Sequence, residues 1–98
     1  MAYEKTSISP KKARETYESV LNYLSKGDFK ITHKRDFAWL VQATREVKGK
    51  IMQISITCRP GTLTFVTVSC LTSETQPNAD EMGFVDSVSQ ELLDRLNA

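Results

Sequence analysis

The sequence predicts an α+β domain: a two-layer sandwich running helix, four-stranded antiparallel meander (strand order 1-2-3-4), helix, with both helices on one face of the sheet. Three observations carry it. An apolar stripe recurs at helical spacing from Ala13 to Leu24, apolar and polar residues alternate from Phe29 to Leu71, and a second helical stripe runs from Phe84 to Leu96. With 98 residues, 40% of them hydrophobic and 26% charged, the chain has the size and composition of one globular core. It is read as a single domain over 1–98, with residues 1–8 as a flexible N-terminal segment.

The first helix is announced by Ser9-Pro10, a Ser N-cap followed by Pro at the first helical position. Ala13, Tyr17, Val20, Leu21 and Leu24 make its stripe, and Gly27 supplies the stop. Turn signals at Lys34-Arg35-Asp36, Lys48-Gly49 and Pro60-Gly61-Thr62 then divide the alternating region into four strands. A slip of one residue sends every side chain to the other face, so registers are chosen by matching apolar positions. A two-residue loop at Lys48-Gly49 pairs Val47 with Lys50, Ala43 with Ile54 and Val41 with Ile56. A three-residue loop at Lys34-Arg35-Asp36 pairs Phe37 with His33 and Trp39 with Ile31. A three-residue loop at Pro60-Gly61-Thr62 pairs Ile56 with Val66 and Ile54 with Val68. After residues 72–77, Asn78 and Glu81 resemble a capping box. The helix that follows buries Phe84, Val85, Val88, Leu92 and Leu96; Gly83 costs it about 1 kcal/mol relative to Ala unless close packing requires a glycine.

These registers place Phe29, Ile31, Phe37, Trp39, Val41, Ala43, Met52, Ile54, Ile56, Cys58, Val66, Val68 and Cys70 inside. The opposite face is rich in Gln, Ser and Thr, with Leu40 and Phe65 as apolar anchors for a partner. From Pro60 to Ser73 there is no charged residue, and in a four-stranded meander the strand over 63–71 is an edge without the usual Lys or Pro guard. Such an edge needs cover, from within the chain, from a second copy or from an added peptide strand.

The net charge of +1 conceals a split. Residues 1–60 hold 12 of the 13 Lys and Arg but 6 of the 12 acids, a balance of +6, against −5 for the remainder. Lys26, Arg45, Lys48 and Lys50 fall near one end of the sheet as a loose basic cluster for a phosphate-bearing partner such as an acidic lipid or nucleic acid.

Catalytic signatures are missing. His33 is the only histidine, Cys58 and Cys70 lie too far apart for a disulfide or shared metal, and the four glycines are isolated rather than gathered in a phosphate loop. The sequence is therefore read as a non-enzyme without metal or cofactor. With no apolar run approaching about 18 residues and no apolar stretch at the N-terminus, it is placed in the cytoplasm.

The order helix, four strands, helix resembles the kinase-associated domains that follow some protein kinases, and is similar in outline to small secretion-chaperone-like domains. The first resemblance implies binding of acidic lipids or a kinase domain, the second binding of a client protein. The expected function is a small interaction module, binding a protein or its own copy as a homodimer through Leu40, Leu63, Phe65, Thr67, Ser69 and Leu71. The alternative is an anionic-ligand binder using Lys26, Arg45, Lys48 and Lys50.

Overall fold

The computed structural model describes residues 2–47, 49–71 and 79–97. The chain runs β1 (Ala2–Ser9), α1 (Ala13–Lys26), β2 (Lys30–Arg35), a 3₁₀ turn (Asp36–Ala38), β3 (Leu40–Val47), β4 (Lys50–Arg59), β5 (Thr64–Leu71) and α2 (Ala79–Leu96). The α+β class holds, but the antiparallel sheet has five strands in the order β1-β5-β4-β3-β2. Buried residues of both helices join the inward residues of the sheet in a single cluster, so one core lies between the helix layer and the sheet.

The added strand corrects two expectations. Residues 2–9 are not a flexible segment: they pair with β5 from Ala2↔Leu71 to Ser9↔Thr64. The strand over 63–71 is consequently no edge, because β5 lies between β1 and β4. The physical reason β1 escapes a hydrophobic-pattern reading is that its inward positions are polar. Tyr3, Lys5 and Ser7 sit opposite the buried Cys70, Val68 and Val66, and they reach α2 through polar contacts. The Tyr3 hydroxyl donates to Asp86 Oδ1 at 2.9 Å, Lys5 Nζ lies 3.7 Å from the same oxygen, and the Ser7 and Ser89 hydroxyls are 3.4 Å apart. The sheet's actual edges, β1 and β2, carry Glu4, Lys5, Lys30 and Lys34, and β2 has a register shift between Ile31 and His33, features that discourage edge pairing.

Two hairpin registers also change. The β3–β4 pairing is as expected, with Val47↔Lys50, Ala43↔Ile54 and Val41↔Ile56. Between β4 and β5, Ile56 meets Val68 and Cys58 meets Val66, two positions from the expected alignment. An even shift preserves the faces, so Val66, Val68 and Cys70 remain buried. Between β2 and β3, Lys34 pairs with Val41 and Arg35 with Leu40, because the 3₁₀ turn and Trp39, at φ 54°, lengthen the connection. Phe37 is therefore 85% exposed rather than inside. Trp39 is half-buried and meets Tyr17 edge to face at 5.8 Å.

Both apolar helical stripes are where the period puts them, with Val20, Leu24, Val85 and Leu92 essentially inaccessible. α1, however, starts at Ala13 after Lys12, without a side-chain cap. Ser9 instead closes β1, and its Oγ accepts the Lys11 N–H at 3.1 Å and lies 2.7 Å from Thr16 Oγ1. Gly27 ends α1 by donating its N–H to the Tyr23 carbonyl, while Asp28 takes the left-handed conformation at φ 61°. The expected Asn78 cap lies outside the described residues. Gly83 has no packing role, since a methyl group there would meet nothing within 4 Å.

Candidate functional site

Alternation along β3 puts Val41, Ala43 and Arg45 on the helix side of the sheet, with Arg45 opposite the buried Met52. An arginine at an inward position must bring its charge to an opening. Its guanidinium lies 5.2 Å from the centre of the Phe29 ring, at the sheet end where α1 finishes, and Phe29 in turn meets Phe84 near the start of α2 at 6.1 Å. There Tyr23, Lys26 and Gly27 of α1 and its cap, Arg45 of β3, and Glu91, Asp94 and Arg95 of α2 line an open cleft of about 560 Å³.

Tyr23 is the buried wall of this cleft, 6% exposed, and its hydroxyl donates to Glu91 Oε2. Burial, reinforced by that hydrogen bond, pushes the phenol well above its ordinary value of 10.0, so it remains a proton donor at neutral pH. Arg95 is held with its guanidinium 5.7 Å from the Tyr23 ring centre. A guanidinium over an aromatic face is positioned through its charge and keeps its planar N–H fork for another acceptor. Among the described residues neither Arg45 nor Arg95 makes an ion pair. Asp94 accepts a hydrogen bond from Gln90 at 2.9 Å. Lys26 and Arg95 stand in the last turns of their helices, where a positive charge complements the helix dipole. Arg45 has no such structural role.

The structure thus brings together Lys26 and Arg45 from the expected basic cluster. Lys50 is exposed at the start of β4 and is not among the lining residues, and Lys48 lies outside the described residues. Tyr23, Glu91 and Arg95 were not anticipated as site residues. Tyr23 lies beside the α1 stripe, next to Leu24, and only the structure shows it buried. The meeting of α2's end with β3 leaves no signal in local patterning.

The expected protein-binding residues share the outer face only in part. Phe65 is directly opposite Ile8, and Leu63 is exposed in the loop just before β5. Thr67 faces Thr6, their hydroxyls 3.0 Å apart, and Ser69 lies between Glu4 and Ser55. Leu40 is half-buried between Arg35 and Thr57, and Leu71 pairs with Ala2.

A second cleft, of about 400 Å³, lies between α1 and the β2–β3 connection and is lined by Tyr17, Leu21, Phe37 and Trp39. The Tyr17 hydroxyl donates to Asp36 Oδ1 at 2.9 Å, with the Leu40 carbonyl a second acceptor at 3.2 Å. His33 is exposed, its Nε2 accepting from Arg35 Nε at 3.2 Å. Cys58 and Cys70 are both buried, and neither is in a disulfide. No helix among the described residues is long and apolar enough to cross a membrane.

No protein-family model and no curated protein matches the chain. Its fold is similar to that of solved structures. Ara h 8.0201 aligns at a TM-score of 0.62 and 14% identity, over 98% of this chain and 94% of that one. DynU16, a protein in the dynemicin biosynthetic locus, aligns at a TM-score of 0.68 and 14% identity over 97% of this chain, which spans only 45% of that longer one. A DUF4468 family protein from Bacteroides ovatus aligns at a TM-score of 0.65 and 12% identity, over 99% of this chain and 86% of that one. At these identities the likeness concerns the fold. It nevertheless corrects the non-enzyme expectation: the architecture is shared with a protein of a biosynthetic locus, so a missing catalytic signature gives no ground for excluding chemistry.

Proposed function

We propose that the chain is a ligand-binding domain that takes small organic anions into the cleft between the ends of α1 and α2 and β3. The observation that carries this reading is Arg45: an inward-facing guanidinium at the mouth of the core, held over the Phe29 ring and free of carboxylate partners among the described residues. Arg95 and Lys26 add positive charge from the two helices, and the Tyr23 hydroxyl supplies a neutral donor. The Tyr23 ring beneath Arg95 gives the cleft an apolar surface suited to an organic acid rather than to a bare ion.

The test is a titration with acetate, benzoate and inorganic phosphate at constant ionic strength, followed by calorimetry. Binding of at least one of these is expected, weakened about tenfold or more in Arg45→Gln, the size of effect that follows loss of a charge-assisted hydrogen bond. Equal binding by the wild type and Arg45→Gln contradicts the reading.

A protein-binding role for the outer sheet face is a second reading, now without its edge strand. Ile8 and Leu63, each 51% exposed, and Phe65 form its apolar element. Phe65→Lys should then abolish any self-association seen by sedimentation; an unchanged distribution removes the homodimer form of this reading.

A further inference from the structure

The Tyr23 hydroxyl is the point on which the cleft converges. Its ring carries Arg95, and Arg45 lines the same cleft. The group that occupies this hydroxyl is Glu91, an exposed side chain of α2. Glu91 and Arg95 are four residues apart on one helix, Glu on the N-terminal side, the arrangement that ordinarily gives an ion pair along a helix face. They do not form one: Glu91 is turned to the Tyr23 hydroxyl and Arg95 to the Tyr23 ring.

We propose that Glu91 is a built-in stand-in for the ligand: its carboxylate holds the Tyr23 hydroxyl in the free protein, and a carboxylate-bearing ligand displaces it there, between Arg45 and Arg95. The inference rests on the cleft being the binding site and deepens it by naming the ligand's reactive group. A carboxylate is the group to which the hydroxyl already donates. An exposed glutamate is solvated by water once it swings away, whereas Tyr23, buried at 6%, stays in place to donate to its replacement. Glu91 therefore sets a threshold, because a ligand must compete with a tethered carboxylate as well as with water.

The experiment compares acetate affinity in the wild type, Glu91→Ala, Glu91→Gln, Asp94→Asn and Glu91→Ala/Tyr23→Phe, with thermal melting as the check on folding. Asp94 supplies the control: it lines the same cleft and carries the same charge, but its Oδ1 is bonded to Gln90 instead of Tyr23. Removing a charge at long range in water changes affinity about twofold, whereas freeing a hydrogen-bond donor from a charged competitor is worth about tenfold or more. Glu91→Ala is thus expected to tighten acetate binding at least tenfold, Glu91→Gln by a smaller factor, and Asp94→Asn about twofold. Tyr23→Phe should cancel the Glu91→Ala gain. Equal gains from Glu91→Ala and Asp94→Asn, or a gain that survives Tyr23→Phe, overturn the stand-in while leaving an Arg45-dependent cleft intact. If acetate binds no variant, and benzoate and phosphate do not bind either, the cleft reading falls together with it.

Discussion

Ser9, Lys11 and Thr16 form a closed ring of hydrogen bonds at the entry to α1, and its donor order is fixed by the partners. The Lys11 N–H donates to Ser9 Oγ at 3.1 Å, and Thr16 Oγ1 donates to the Lys11 carbonyl at 3.3 Å. The 2.7 Å contact between the two hydroxyls must then run from Ser9 to Thr16. Ser9 is 4% exposed and Thr16 is inaccessible, so water does not replace a missing partner. Thr16→Val keeps the shape but strands the Ser9 hydrogen. Ser9→Ala strands the Lys11 N–H. Thr16→Val also takes the hydroxyl donor from the Lys11 carbonyl, so each variant leaves at least one polar group unsatisfied, about 1–2 kcal/mol, or roughly 4–8 °C in Tm per kcal/mol for a domain of this size. In the double variant the penalties overlap, and it should be less destabilised than the sum of the two by about 1 kcal/mol. Urea denaturation followed by far-UV circular dichroism measures all four corners of the cycle. Additivity within about 0.3 kcal/mol would refute the ring.

Three further outcomes follow from particular residues. Gly83→Ala should stabilise the chain by about 1 kcal/mol, because an exposed helix position gains propensity and the new methyl meets nothing within 4 Å; a lower urea midpoint would show an unseen constraint. Burial pushes the Cys58 thiol from 9.0 up to about 12. Between these values the unfolded chain has lost a proton that the folded chain retains, so stability falls as pH rises through this window, by at most about 1.4 kcal/mol per unit from this group. Chemical denaturation at pH 8 and pH 11 should show a shallower decline for Cys58→Val than for wild type; identical declines contradict the assignment. Phe37→Ser should change stability by less than about 0.5 kcal/mol, since Phe37 is 85% exposed, and a loss above about 2 kcal/mol would mean it packs.

What the sequence made legible tracks how far each residue's role depends on its neighbours in the chain. The α2 stripe of Phe84, Val85, Val88, Leu92 and Leu96 is buried throughout, because one apolar face against one core is what helical periodicity encodes. Strand β1 was hidden because Lys5, Ser7 and Ser9 occupy inward positions and rely on α2 and α1 for polar partners. The β2–β3 register failed at Trp39, since a bulky residue in the left-handed region is not a position that turn propensity anticipates. For the cleft, the sequence showed Arg45 and Lys26 only as part of a loose basic cluster at one end of the sheet, not as inward-facing. Their neighbours Tyr23, Glu91 and Arg95 come from the ends of two helices that only tertiary packing brings to the same place.

The most direct measurement is a two-dimensional ¹⁵N NMR titration of the wild-type chain with acetate, including the arginine Nε signals, at constant ionic strength. Saturable shifts confined to Gly27, Arg45, Arg95 and the amides around Glu91, and lost in Arg45→Gln, are the predicted result. Shifts concentrated instead on the outer face at Ile8 and Phe65, or spread evenly over exposed lysines without saturation, would contradict an anion site in the cleft.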